Sequence, residues 1–262
     1  MNSRGFLTFA QNNGRNDYVR MAYALAISLR HTQRNAKSLS IAVTPGDRVP
    51  DRYAWAFDNI IDIPWGDLSA TDTRKIHNEW KAIYLSPYDE TIKLDADMLF
   101  TRDIEPWWDL MSTGDFCMCN SVVGHDARSF FVDRKLADVH AGFMFFKKKP
   151  AVYEHFKMAE QVFKDWDMVS KGCLSYRYSP PELTTDLAFS LALRLTDMAE
   201  EWRVTNTVPT FMQHDPRGQG IDVADAGKLT LGGSAIRLPV HHRCDAALVD
   251  AYIERVERLV GV

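Results

Sequence analysis

Short apolar runs alternate with amphipathic stretches through the first hundred residues. Gly5 to Phe9 is a run of strand length, closed by the polar segment Gln11 to Asn16. From Tyr18 the period changes. Tyr18, Ala22, Leu25, Ala26 and Leu29 share one face, which predicts a helix from Tyr18 to His31 capped by Asp17. Leu39 to Val43 reads as a second strand, ended by Thr44-Pro45-Gly46. Asp51 to Phe57 reads as a short helix, and Asn59 to Ile63 as a third strand stopped by Pro64. Glu79 to Leu85 predicts a further helix, broken at Ser86-Pro87, ahead of a strand from Thr91 to Leu94. Strands interleaved with helices predict an α/β fold with a mostly parallel sheet. Ligands of such sheets bind beyond the carboxyl ends of the strands. The loop after the first strand and the residues after Leu94 are therefore expected to face one crevice.

The second half is less regular. Phe116 to Asn120 and Ala141 to Phe146 read as strands. Ala151 to Phe163, Thr185 to Leu195 and Asp245 to Val260 read as helices. Gly124 to Asp138 and Asp167 to Leu183 are long and polar, as expected of loops that wall or cover a crevice. The sequence contains no internal repeat, low-complexity tract or linker, so 1–262 reads as one compact domain.

Composition narrows the picture only modestly. With 31 Lys and Arg against 35 Asp and Glu, the net charge is −4, so no global basic field exists. Binding to nucleic acid would need a local patch, for which Arg128, Arg134, Lys135, Arg177 and Arg217 in or near the long loops are the candidates. The apolar run near Met1 is too short for a signal peptide, and no stretch approaches membrane-spanning length. Four cysteines show no zinc-type double pair, and Cys117 and Cys119 would share one strand face, a poor disulfide geometry. A reduced, cytoplasmic compartment is the expectation.

The run Ile92-Lys93-Leu94-Asp95-Ala96-Asp97-Met98-Leu99-Phe100 carries the strongest chemical signal. Alternation along a strand would point Asp95 and Asp97 to one side. Two carboxylates held so close repel each other unless a cation sits between them. A hard divalent ion shared with substrate phosphates is the natural occupant; the bland alternative is a solvated turn after a strand. A haloacid-dehalogenase phosphatase also carries two such aspartates, but near its N-terminus and with a threonine beyond the second, where this chain has Met98 and Leu99. A nucleotidyltransferase would need a Gly-rich, Arg-containing loop after the first strand. Ala10 to Asn16 holds one Gly and one Arg. Its amides, with Tyr18, suit a nucleobase and ribose, or alternatively make a hydrated loop and helix cap.

These residues together resemble the GT-A-fold glycosyltransferases, in pattern the retaining enzymes of family eight. Thr8 to Tyr18 resembles that family's base-binding segment. Leu94-Asp95-Ala96-Asp97-Met98-Leu99 resembles its Leu-Asp-x-Asp-Val-Leu. Asp103-Ile104-Glu105-Pro106, His140-Ala141-Gly142 and Thr184-Thr185-Asp186-Leu187 resemble the segments that follow in the family. The resemblance implies a GT-A (Rossmann-like nucleotide-diphospho-sugar transferase) fold. Residues 1–100 would form the nucleotide-sugar half, and 101–262 the acceptor half with its C-terminal helix. Thr8, Ala10, Gln11, Asn12 and Tyr18 would contact the nucleotide; Asp95, Ala96 and Asp97 would contact the diphosphate. Asp95 and Asp97, with a late histidine, would bind Mn²⁺ or Mg²⁺. His241 and His242 are placed ahead of His214 for that third ligand. Lys81 would touch donor phosphate or sugar, unless it is a surface lysine snorkelling to water. Asp186 would be the acceptor-side carboxylate. Lys93 stands where the family has an aromatic or aliphatic residue, which implies an edge strand or a lysine reaching a phosphate.

The implied reaction is transfer of a sugar from a nucleoside-diphosphate sugar, a UDP-sugar foremost, to a hydroxyl, with retention. The implied acceptor is a glycan or small molecule. A similarity to glycosyltransferase-like proteins of tailed phages adds a hydroxymethylated base in viral DNA, and host cytoplasm as the location in that case. Two other classes compete: a sugar-phosphate nucleotidyltransferase, and a non-catalytic sugar-nucleotide-binding module.

Overall fold

A computed structural model of the protein describes residues 3–34, 38–66, 75–119, 122–123, 136, 139–174, 183–198, 212–214 and 220–261. The first half runs β1 (Arg4–Ala10), α1 (Tyr18–Thr32), β2 (Ser38–Val43), α2 (Asp51–Ala54), β3 (Asn59–Asp62), a 3₁₀ turn (Glu79–Lys81), α3 (Ala82–Leu85), β4 (Glu90–Asp95), β5 (Met98–Leu99) and α4 (Glu105–Met111). The second runs β6 (Phe116–Cys119), β7 (Val122–Val123), β8 (His140–Lys147), α5 (Pro150–Lys164), α6 (Trp166–Cys173), α7 (Thr185–Leu195), β9 (Met212–His214), β10 (Ile221–Val223), β11 (Leu229–Leu231), β12 (Ser234–Ala235), β13 (Val240–His241) and α8 (Ala246–Val260).

The main sheet has the order β3-β2-β1-β4-β8-β6. Neighbours from β3 to β4 are parallel, and β8 alone runs against the rest. The carboxyl ends of β1 to β4 therefore share one edge, as the alternating pattern predicts. Ile92 and Leu94 point to the face covered by α1, α4 and α8. Leu7 and Met144 belong to the core packed under α5 and α7. Helix α1 begins where expected: Asp17 accepts the Arg20 N–H at 3.0 Å, a cap worth about 1 kcal/mol. Gly5 is needed in β1 because a Cβ there would lie 2.3 Å from the Tyr88 ring.

Three expectations need correcting. β4 is not an edge strand, since β1 and β8 flank it. Asp95 and Asp97 are not brought together by strand alternation: β4 ends at Asp95, Ala96 and Asp97 turn, and the chain enters a second sheet of order β5-β13-β9-β7. The segment Asp167 to Leu183 is helical as far as Cys173, because Trp166, Val169 and Cys173 recur at helical spacing and pack on the core formed by Val162, Leu187 and Leu191. Of the other long loop only Leu136 and the backbone of Val122–Val123 bordering it are described, and Asn120, Arg128, Arg134, Lys135, Arg177 and Arg217 lie outside the described residues. Among the described residues, no helix is long and apolar enough to cross a membrane.

One buried group off the crevice sets a pH dependence. His155 on α5 is fully buried against Phe116, with ring centroids 4.7 Å apart, and burial lowers its pKa to about 3. The unfolded chain takes up a proton near pH 6.5, whereas the folded chain refuses it until about pH 3. The stability from this site is complete above the unfolded value and is lost as pH falls through that window. Urea midpoints are expected to drop from pH 7 to pH 4, with a shallower slope in His155→Leu.

Candidate donor and metal site

β13 brings a histidine to the turn after β4. His241 pairs with Met98 and Val240 with Leu99, and the His242 N–H donates to the Asp97 carbonyl at 2.9 Å. This register places His241 Nε2 3.1 Å from Asp97 Oδ1 and 3.4 Å from Asp95 Oδ2. One ligand atom from each of Asp95, Asp97 and His241 lies within 4.8 Å of the others. His242 takes a different part. Its Nδ1 accepts the Asp245 N–H at 3.1 Å, ahead of α8, and burial lowers its pKa to about 4. His214 is the register partner of His241 across β9 and β13.

Each carboxylate is held by more than the histidine. Asp97 Oδ2 accepts the Cys244 N–H at 3.2 Å. Asp95 Oδ1 lies 2.7 Å from the Lys93 ammonium, and that ammonium is also 2.6 Å from Glu79 Oε2 and 3.2 Å from the Ala141 carbonyl. Lys93 and Asp95 project from the same face of β4, two residues apart, which makes the pair possible. Lys93 is 1% exposed. Burial alone would strip its proton, yet Asp95 and Glu79 raise its pKa above the ordinary lysine value. Burial also opposes ionisation of Asp95, but Lys93 and His241 overcome it and hold the carboxyl well below the usual range. Glu79 goes the other way, to about 7, because burial and the Asp95 charge outweigh the pull of Lys93. For His241, burial lowers the pKa, but Asp97 and Asp95 more than reverse it, to about 9. The protonated imidazole is a counter-ion to the two aspartates.

A cavity of about 220 Å³ opens on this cluster. Of the residues expected at the site, Gln11, Tyr18, Asp95, Ala96, Asp97 and His241 line it. Phe9, Lys75, Ile76, Glu79 and Cys244 complete the wall. Thr8 and Ala10 are fully buried in β1 and are not among the lining residues. Asn12 serves α1, its Oδ1 accepting the Val19 N–H at 3.1 Å. Gln11 is braced between Thr44 and Asn78, both at 2.9 Å.

Lys81 is not among the residues that line the cavity. It is fully buried, so it does not snorkel, and its ammonium donates to the carbonyls of Pro64 (2.8 Å) and Gly66 (2.6 Å). Asp186, in the first turn of α7, accepts the Ala141 N–H at 2.6 Å and lies 3.9 Å from His140 Nδ1. Its negative charge contributes to the raised pKa of His241. Glu79 and the partnership of Lys93 were missed in the sequence. The available signal was a lysine two residues before Asp95 on the same face, which demands an acid from another element.

Gly142 fits the same geometry. A Cβ there would meet Asp95 Oδ2 at 2.7 Å and His140 Nδ1 at 2.9 Å. Because Lys93 fixes the other Asp95 oxygen, the carboxylate has little room to yield. Gly142→Ala is expected to displace the Asp95 carboxylate and so lower the pKa of His241 in an NMR titration, with an unchanged circular dichroism spectrum.

No protein-family model matches the chain, and no curated protein sequence matches it. Solved structures do. Galactosyltransferase LgtC in complex with donor and acceptor sugar analogues has a TM-score of 0.58 at 13% identity, over 97% of this chain and 95% of that one. An active-site mutant of LgtC gives the same TM-score at 14% identity. The apo form of mouse xyloside xylosyltransferase 1 gives 0.57 at 12% identity, over 93% of this chain and 98% of that one. The chain has the GT-A glycosyltransferase fold. In this GT-A fold the acidic turn follows a central strand of the main sheet, and the second sheet supplies the histidine opposite it.

Proposed function

We propose that this chain is a metal-dependent glycosyltransferase that takes a sugar from a nucleoside-diphosphate sugar, a UDP-sugar foremost, and passes it to a hydroxyl with retention. The observation that carries this reading is the convergence of Asp95, Asp97 and His241 on a cavity at the carboxyl edge of a GT-A sheet. Two carboxylate oxygens and an imidazole nitrogen suit Mn²⁺ or Mg²⁺. When bound there, such a cation neutralises charge on the departing diphosphate.

The chain's own residues do the rest. His241 must give up its proton to become a ligand, so cation uptake releases a proton at neutral pH. Lys93 holds one oxygen of Asp95 and leaves the other facing His241. Tyr18 and Phe9 offer apolar walls for the base. In the transfer, the anomeric C–O bond to the diphosphate breaks and the acceptor oxygen bonds the same face. The acceptor proton leaves with the diphosphate oxygen, and Asp186 provides negative charge near the electron-poor anomeric centre. A glycan is favoured over modified DNA as acceptor. LgtC was solved with donor and acceptor sugar analogues, the mouse protein is a xyloside xylosyltransferase, and the net charge here is −4.

The test is incubation with Mn²⁺ and a panel of nucleotide sugars, scored by free UDP or GDP. Release that stops on chelation is expected. A wild-type protein that neither binds nor consumes any nucleotide sugar overturns the reading.

A further inference from the structure

We propose that Trp65 is a saccharide-stacking platform on the rim of the crevice and that it seats the sugar acceptor; this rests on the glycosyltransferase reading. Trp65 lies three residues beyond β3, at the carboxyl edge of the sheet on which the donor cavity opens. Its side chain is 62% exposed, although indole is among the groups most costly to leave in water. The ring is nevertheless fixed in place. It lies parallel to Trp80, with an interplanar angle of 12° and centroids 6.2 Å apart, and meets Tyr84 edge-on at 5.4 Å. Tyr84 is itself 38% exposed, so the two rings form a continuous aromatic patch.

The backbone is arranged to present that ring. Trp65 has φ = 61°, the left-handed region that a bulky residue avoids. The buried Lys81 ammonium donates to the carbonyls on both sides of it, those of Pro64 and Gly66. A fully buried charge and an unfavourable backbone conformation thus together hold an apolar ring out in solvent. Folding stability alone disfavours the left-handed backbone and the exposed ring, and outliers of this kind cluster at ligand-binding sites.

Its position says what the ligand is. Trp80, on which Trp65 stacks, follows Glu79 in a single 3₁₀ turn, and Glu79 lines the donor cavity. The ring that supports the platform and a wall residue of the donor cavity are therefore neighbours in one turn. The nucleobase wall formed by Phe9 and Tyr18 belongs to β1 and α1, elements distinct from the turn that carries the platform. The ligand that remains for this rim is the acceptor. A pyranose presents C–H bonds on its flat face, which bear partial positive charge and complement the electron-rich face of an indole. Its hydroxyls stay at the edge, in water. A fixed ring also loses little side-chain freedom on binding.

The experiment titrates the full chain with cellotetraose and maltotetraose, without nucleotide or metal, and follows indole emission. Trp65→Ala isolates the signal from the other six of the seven tryptophans. A saturable change in wild type, absent in Trp65→Ala and partly kept in Trp65→Phe, is expected. In the transfer assay the acceptor KM should rise about tenfold in Trp65→Ala, with the donor KM moved less than about twofold. Thermal denaturation checks that the variants fold. No saturable change with either sugar, or an equal change in Trp65→Ala, overturns the proposal. A wild-type dimer that becomes monomeric in Trp65→Ala also overturns it, assigning the ring to a second copy. Failure of the glycosyltransferase reading shows separately, as absence of nucleotide-sugar consumption by wild type.

Discussion

Asp97→Ala is expected to lower donor turnover by about a thousandfold while the protein stays folded. Asp97 offers one of the three ligand atoms of the cluster and also accepts the Cys244 N–H at 3.2 Å. The two roles separate in a second variant. Asp97→Asn keeps an oxygen for Cys244 but loses the charge. If Asp97 only shapes the turn before α8, the asparagine variant retains activity. If it holds a cation, both variants lose it, and the Mn²⁺ concentration for half-maximal rate rises. Either change also removes one of the carboxylates that keep His241 protonated, so its pKa should fall from about 9 toward the ordinary value. NMR titration of the imidazole in the metal-free variant reads this directly.

The second large effect is on stability. Lys93→Met is expected to destabilise the fold by about 3 kcal/mol, because it leaves the Glu79 and Asp95 carboxylates facing each other without the buried ammonium they share. Lys93 is 1% exposed and is the shared cation of Glu79 and Asp95. For a chain of this size, a fall of roughly 10 °C in melting temperature follows. The double variant Lys93→Met with Glu79→Gln should recover part of the loss, since one of the stranded charges is gone. Differential scanning calorimetry of the wild type, the two single variants and the double variant completes the cycle. An unaltered melting temperature in Lys93→Met would show that the ion triad adds nothing to stability.

The same triad marks where the sequence stopped being legible. The apolar runs of β1, β2 and β4 and the one-sided pattern of α1 were sufficient to place the sheet and its carboxyl edge. Two aspartates at a strand end were enough to locate the cluster, and a late histidine to complete it. The pattern misled where a polar residue sits inside an apolar element. Lys93 in the sequence looks like a break in a strand and so suggests an edge. Only the three-dimensional partners Glu79 and Asp95 make it compatible with a central position. Lys81 misled for a related reason, because its partners are backbone carbonyls, which every residue carries and no sequence pattern reveals. The strands β5 and β13 have two residues each, too few for any periodicity to register. Yet their pairing is what brings His241 to Asp97.

That pairing has a consequence for how the protein comes into being on the ribosome. Asp97 and His241 are joined by a two-residue ladder between segments far apart in the chain, and α8 secures it by docking on α1 through Arg20–Asp250 and Tyr23–Glu257. Contacts this distant in sequence form late, after local helices and neighbouring strands. The main parallel strands can assemble while the nascent chain is still growing, but the cluster stays incomplete until residues 240–260 have emerged. A shortened translation product would therefore carry a recognisable sheet and two aspartates with no imidazole between them. The acidic turn gains its histidine only once β13 has paired with β5.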